Sequence, residues 1–328
     1  MNNLNKNGIN LVADIGGTNI RLAIASPSDV ITDIATYQCA KFANLIDVIR
    51  LYIMEKQLEG KTINACLAIA CPVDDDYISM TNLPWQFSQK DLKEQLKLNT
   101  LTLINDYTAI ALAIPYLSDS QKVKIGAGEA VSNKAISVCG PGTGLGVATL
   151  VPLDNKWHCI SGEGGHVDFA PVDELEVKVF SYIYAYKKRV SYEQLLSGYG
   201  LEQIYQALVK ITNEGKSNNF VAGDLSAEII STNAINGDCI LCKQALEFFC
   251  KVLGSFAGNL ALTANSLGGV YIAGGIVPRF IDFIEKSGFR ERFETKGRLS
   301  SLTQQTPTYV ITETQPGLLG AAAYLNQL

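Results

Sequence analysis

The sequence predicts an α/β protein made of two similarly built halves, each with a mixed sheet. Three observations carry this reading. "LVADIGGTNIRLAIA" (11–25) and "ISVCGPGTGLGVATL" (136–150) are each an apolar strand, a Gly/Thr turn and a second apolar strand. Repetition of a whole supersecondary unit points to two related domains, not to a short-period array. Segments with helical spacing lie between the strands. Finally, 328 residues with 47% apolar and 18% charged side chains are enough for two cores.

Along the chain, "NLVADI" (10–15), "RLAIAS" (21–26) and "IATYQCA" (34–40) read as strands. Phe42, Leu45, Ile46, Ile49, Tyr52 and Ile53 place a helix at about 42–57. "INACLAIA" (63–70), a short helix near 88–97 and the strand "TLTLIND" (100–106) follow, and a Pro-free apolar helix runs from there to Ile114. The second half opens with strands 134–140 and 145–153. Helices are expected at 172–187, 200–212, 226–235 and 238–265. "GGVYIAGGIVPRF" (268–280) is a strand, a Gly turn and a helix start, "TYVIT" (308–312) a last strand, and Pro316 opens a C-terminal helix. No linker or low-complexity segment separates these parts.

A net charge of −5 and a pI near 5.2 argue against a nucleic-acid surface, which needs a concentrated basic patch. The N-terminal stretch has no signal-peptide pattern, because Asp14 interrupts its apolar run. The apolar runs around 109–117 and 317–325 are too short to span a bilayer. A cytoplasmic protein without membrane contact is expected. The eight cysteines fit reduced, mostly buried thiols. "CILC" (239–242) lacks the second pair or nearby His that a zinc site needs, so it reads as structural.

"DIGGTN" (14–19) is the strongest local signal. Two glycines let backbone amides approach an anion, and Thr18 adds a hydroxyl; a tight hairpin turn is the simpler reading. Asp14 would repel a phosphate unless a cation intervened, and Mg²⁺ held through water resolves that conflict. "GPGTGLG" (140–146) repeats the nest. It is neither a dinucleotide fingerprint nor a Walker loop, since Leu145 breaks the spacing and no Gly-Lys-Ser/Thr occurs. "AGG" (273–275) is a third, weaker turn, which could simply connect a strand to a helix.

Other polar residues are ambiguous taken singly. In "GEGGHVDFAP" (162–171), Glu163 and His166 share a glycine-rich loop. In "SYEQLLSG", Ser191 and Gln194 match a capping box. That leaves Glu193 free for function or for interaction with a helix N-terminus. Asn82, before Pro84, reads as a turn. In "LIND", Asn105 and Asp106 close an apolar strand, and either could cap the next helix.

Together these motifs resemble those of the bacterial glucokinases that stand outside the repressor/kinase (ROK) group. "DIGGTN", "IACPV", "MTNLPW", "INDYTAIALAIP", "GTGLGVA", "GEGGHVDFAP", "LSGYGL" and "GGVYIAGGIVPRF" fall in that family's order from Ile9 to the C-terminal helix. The resemblance implies a ribonuclease-H-like, actin-type ATPase fold, duplicated, with two α/β domains and an interdomain cleft. A small domain would hold 1–116 and 313–328, a large one 117–312. It implies Asp106 as general base, and Asn105, Asp106, Glu163, His166, Glu193 and Asn82 as sugar contacts. ATP would lie on Ala13, Asp14, Ile15, Gly16, Gly17 and Thr18, on Gly142, Thr143 and Gly144, and on Gly274 and Gly275. Asp14 would meet Mg²⁺ through water. A homodimer is implied as well. Ala13 stands where Gly is frequent, Pro141 removes one amide, Tyr199 replaces a frequent Pro, and the ROK zinc motif is absent.

The reaction implied is transfer of the ATP γ-phosphoryl to the glucose 6-hydroxyl, the first step of glycolysis, with closure on sugar binding. A kinase for mannose or fructose, a sugar sensor without catalysis, and a glycosidase using Glu163 and Glu193 are the competing readings.

Overall fold

The computed structural model describes residues 8–26, 30–80, 83–213 and 225–328, so Asn82 lies outside the described residues. In chain order the first elements are β1 (Ile9–Ile15), β2 (Asn19–Ala25), β3 (Ile31–Gln38), α1 (Leu45–Glu55) and β4 (Ile63–Ile69). Next come β5 (Tyr77–Ser79), β6 (Gln86–Ser88), α2 (Gln89–Gln95), β7 (Thr100–Asn105) and α3 (Asp106–Ala113). The middle holds β8 (Lys122–Ile125), β9 (Ile136–Pro141), β10 (Leu145–Leu153), β11 (Lys156–Gly162), α4 (Glu174–Lys187), α5 (Gly198–Asn213), α6 (Ala227–Asn236) and α7 (Ile240–Ala264). The chain ends with β12 (Val270–Ile272), α8 (Ile281–Lys286), α9 (Phe289–Glu294), α10 (Ser300–Gln305), β13 (Thr308–Ile311) and α11 (Pro316–Gln327).

The chain forms two compact units. One comprises Met1–Ser118, Leu153–Ser161 and Glu313–Leu328; the other comprises Asp119–Pro152 and Gly162–Thr312. Residues 153–161 join the first unit, although the expected boundaries place them in the second. The cause is local: the Trp157 amide donates to Gln327 Oε1 at 3.0 Å, and Lys156 Nζ donates to the Gln327 carbonyl, both on α11.

In the first unit the sheet order is β3-β2-β1-β4-β7. β1 runs antiparallel to β2 and parallel to β4, and β4 runs parallel to β7. Side chains alternate along β1, as strand geometry demands. Leu11, Ala13 and Ile15 join the core under α1 and α2, while Val12 joins Leu318, Ala321, Ala322 and Leu325 of α11 on the other face. In the second unit β9 runs antiparallel to β10 and parallel to β12, and β12 runs parallel to β13. The strand order β10-β9-β12-β13 thus follows the same plan as β2-β1-β4-β7.

Side chains cap several helix starts, and α1 begins at Leu45, three residues later than the apolar spacing from Phe42 predicts. Asn44, Ser88, Asp173 and Ser226 accept the amides of Asp47, Asp91, Glu176 and Ile229. One expectation fails at Ser191–Ser197. The capping-box bond forms, with the Ser191 amide donating to Gln194 Oε1 at 3.3 Å, but α5 begins only at Gly198. Glu193 therefore sits in a turn five residues before that helix.

Among the described residues α7, the long helix expected at 238–265, is long and apolar enough to cross a membrane by length and composition alone. Its most apolar window is 72% buried inside the protein, so it serves as the core helix of the second unit.

Candidate active site

In the first unit the candidate residues gather at the carboxyl ends of the parallel strands, where open α/β sheets place ligands. The register sets Ile15 beside Ile69 and Ile69 beside Asn105 in one row. Asp14 precedes that row and Asp106 follows it.

Asn105 and Asp106 divide the labour. Asn105 is the N-cap of α3: its Oδ1 accepts from the Tyr107 amide at 2.9 Å and the Thr108 amide at 3.4 Å. Asp106 is freed from sole responsibility for capping, although its Oδ1 also accepts from the Tyr107 amide at 2.9 Å. Burial pushes the Asp106 carboxyl up to about 6. The Tyr107 amide and the Asn105 side chain pull it down, and the charge of Asp14 pushes it up. A carboxylate tuned toward neutrality is a better proton acceptor than one of ordinary acidity. Protonation removes a base, so activity depending on Asp106 is lost as pH falls through about 6.

Asp14 pairs with Arg21, Oδ2 to Nη1 3.3 Å, and the two face each other directly across the β1–β2 ladder. The Asp14 side chain is only 23% exposed. Burial raises its proton affinity and Arg21 lowers it, with burial the stronger effect. The helix α11 abuts this carboxylate, since a Cβ on Gly317 would lie 2.8 Å from Asp14 Cγ. No group of three or more His, Cys, Asp or Glu among the described residues could chelate a metal. A buried carboxylate that belongs to no group of three or more such side chains among the described residues fits a cation held through water better than one chelated by the protein. Arg21 escaped the sequence reading, although pairing β1 with β2 across the turn would have exposed the opposite charges. Cys71 of "IACPV" was also missed: its thiol is pushed up by burial and by the Asp106 charge, which places this motif beside the carboxylate.

The turn between β1 and β2 is closed by the Gly16 amide donating to the Asn19 carbonyl at 3.1 Å. Thr18 is exposed, while Ala13 and Ile15 are fully buried core residues whose side chains cannot reach a nucleotide. Gly16, Gly142 and Gly275 all have ordinary φ, and an added Cβ would meet nothing closer than 3.5 Å. Neither φ nor packing demands glycine there. Close backbone approach by a ligand is compatible with glycine at these positions. Gly274 differs: φ is +84° and a Cβ would sit 2.4 Å from the Pro141 carbonyl oxygen, so the fold itself requires glycine. Gly142→Ala is accordingly expected to leave the melting temperature unchanged while raising the KM for ATP several-fold; equal losses of stability and affinity would contradict it.

In the second unit Glu163, His166 and Glu193 are brought together. Residues 164–166 form a single 3₁₀ turn, with the His166 amide donating to the Glu163 carbonyl at 3.0 Å. Side chains three apart in such a turn share one side. The Glu193 amide donates to the Gly165 carbonyl at 2.9 Å, and His166 Nε2 lies 3.9 Å from Glu193 Oε1. Glu193 Oε2 accepts from the Leu145 amide at 2.9 Å, and a Cβ on Gly144 would stand 2.6 Å from the same oxygen. The Gly/Thr turn 142–144 and the Glu163–His166 loop are therefore tied together through Glu193. Thr143 is exposed, as Thr18 is. Glu193→Gln keeps an oxygen for the Leu145 amide and removes the charge. It is expected to raise the KM for sugar about tenfold at nearly constant melting temperature, the loss typical of a hydrogen bond to a charged group. An unchanged KM would leave Glu193 a purely structural brace.

A family model for Glucokinase matches residues 11–328. A glucokinase of Colwellia psychrerythraea is 68% identical over 320 residues, covering 98% of this chain and 97% of that protein. The crystal structure of a glucokinase from an Antarctic psychrotroph is similar at TM-score 0.88 and 38% identity, over 98% of this chain and 99% of that one. A ROK family glucokinase from Streptomyces griseus, solved with glucose and AMPPNP, shares the fold at TM-score 0.63 and 19% identity, over 98% of this chain and 100% of that one. With the match extending over nearly every residue, this chain belongs to the glucokinase family.

Proposed function

We propose that the protein phosphorylates D-glucose at the 6-hydroxyl with ATP, giving glucose 6-phosphate and ADP, and that Asp106 is the general base. The observation that carries the reading is Asp106 itself. It is a half-buried carboxylate just past the carboxyl end of β7, the parallel edge strand of the first sheet, raised to about 6, with its neighbour Asn105 capping the helix. Family membership supplies the reaction class.

Phosphoryl transfer through a loose transition state requires mainly positioning and charge stabilisation. In this account Asp106 accepts the proton leaving the 6-hydroxyl, and the rigid β7–α3 junction holds its carboxylate in place. Asn105 offers its side-chain amide to the sugar while its Oδ1 remains on the helix cap. Glu163, His166 and Glu193 accept or donate hydrogen bonds to ring hydroxyls, and Asn82 is assigned to the same sugar. Gly16, Gly17 and Thr18, with Gly142, Thr143, Gly144 and Gly275, receive the triphosphate on backbone amides and hydroxyls. Asp14 would hold Mg²⁺ through water, and the ion, when bound, would supply neutralisation of triphosphate charge.

The finer architecture belongs to the same proposal. The shared strand plan of the two units supports a duplicated ribonuclease-H-like fold, with a small domain near 1–116 plus 313–328 and a large one near 117–312. The family resemblance adds the cleft, a homodimer and a cytoplasmic setting. A coupled assay across glucose, mannose, fructose and N-acetylglucosamine, with Mg²⁺ present or chelated, tests the function. Mg²⁺-dependent activity greatest on glucose is expected. Activity confined to another sugar would move the substrate, and turnover without ATP would remove the kinase reading.

A further inference from the structure

The "CILC" segment, set aside above as structural, acquires a second meaning from its place in the fold. Cys239 is the N-cap of the 25-residue helix α7, with extended backbone, and its Sγ accepts from the Cys242 amide at 3.2 Å. The Cys242 thiol is hydrogen-bonded to Cys239 as well. Both sulfurs therefore meet on one helical turn, with Cys239 receiving both hydrogen bonds. Their surroundings differ: Cys242 is fully buried, whereas Cys239 is half-exposed beside Ile240, which is 78% exposed. The approach is open on the preceding side too, since nothing lies within 4 Å of a Cβ placed on Gly237. Of the remaining cysteines, Cys39, Cys66, Cys71, Cys139 and Cys250 are buried, and Cys159 is half-buried and hydrogen-bonded to Thr108. Burial and the Cys239 hydrogen bond push the Cys242 thiol up to about 12, so Cys239, not Cys242, is placed to meet an oxidant arriving from solvent.

We propose that Cys239 and Cys242 form a reversible dithiol–disulfide site that exchanges with small disulfides of the glutathione type. Cys239, as its thiolate, attacks one sulfur of the oxidant; a mixed disulfide forms and one thiolate leaves. Cys242 then gives up its proton and attacks the Cys239 sulfur, which expels the second thiolate. Two protein thiols become one disulfide while one small disulfide becomes two thiols. Access assigns the roles: the exposed sulfur meets the oxidant and the buried one resolves.

The test is intact-mass and peptide mapping of the folded chain after incubation with oxidised glutathione and denaturing alkylation. The peptide holding residues 239–242 should lack two hydrogens, resist alkylation and regain both thiols with dithiothreitol. Cys242→Ala should instead retain glutathione on Cys239, and Cys239→Ser should abolish both products. Wild-type protein that keeps glutathione on Cys239 without closing, or that alkylates at all eight cysteines, would overturn the proposal.

Discussion

Asp106→Asn is expected to lower kcat by about 10²–10⁴-fold, the usual worth of general-base catalysis, with little change in glucose affinity. The amide keeps the shape of the carboxylate and can still accept from the Tyr107 amide. Stability should move the other way. The folded carboxyl titrates near 6 against an ordinary value of 3.8, so the native state holds a proton that the unfolded chain has already released. Stability therefore falls as pH rises across that window, by ~1–3 kcal/mol once the group is fully ionised. Asparagine has no such term. The variant should melt no lower than wild type at pH 7.5, and any advantage should shrink near pH 4. Near-normal turnover with unchanged melting would remove Asp106 from the mechanism.

Gly320→Ala is expected to be the most damaging single-methyl change in the first unit. A Cβ there would stand 1.7 Å from the Ala109 carbonyl oxygen, where α11 crosses α3. A backbone atom cannot rotate aside, so the helices must separate. Overpacking typically costs ~1–3 kcal/mol, and this contact lies at or above the upper end. The damage should reach catalysis, because α3 carries Asp106 on its first turn. A displacement of about 1 Å at a reacting group can cost ~10²-fold. Denaturant melts read together with kcat test this. Loss of stability alone would mean that α3 holds its position independently of α11.

Local chemistry was legible in part in the sequence. Both Gly/Thr turns lie between the strands that flank them, as expected, whereas the caps at Asn44, Ser88, Asp173 and Ser226, each reaching an amide three residues on, were not read from the sequence. The six-residue helices α8, α9 and α10 complete too few turns to display periodicity, and the four-residue β8 shows too little alternation. At the site, residue types were readable but their partners were not. The Glu193–Leu145 bond spans 48 residues, and Cys71 beside Asp106 spans 35. Ala13 and Ile15 belong to the core by strand alternation, so any contact they make with a phosphate would run through the backbone.

The central claim is that a desolvated carboxylate on β7–α3 accepts the proton of the sugar hydroxyl. The most direct measurement is kcat/KM for glucose between pH 5 and 8, at saturating ATP and Mg²⁺, for wild type and Asp106→Asn. Wild type should hold a plateau above a bend near pH 6, the value to which the Asp106 carboxyl is raised, and fall about tenfold per unit below it. The residual activity of Asp106→Asn should lack that bend. A wild-type profile flat down to pH 5, or the same bend in the variant, would contradict the account.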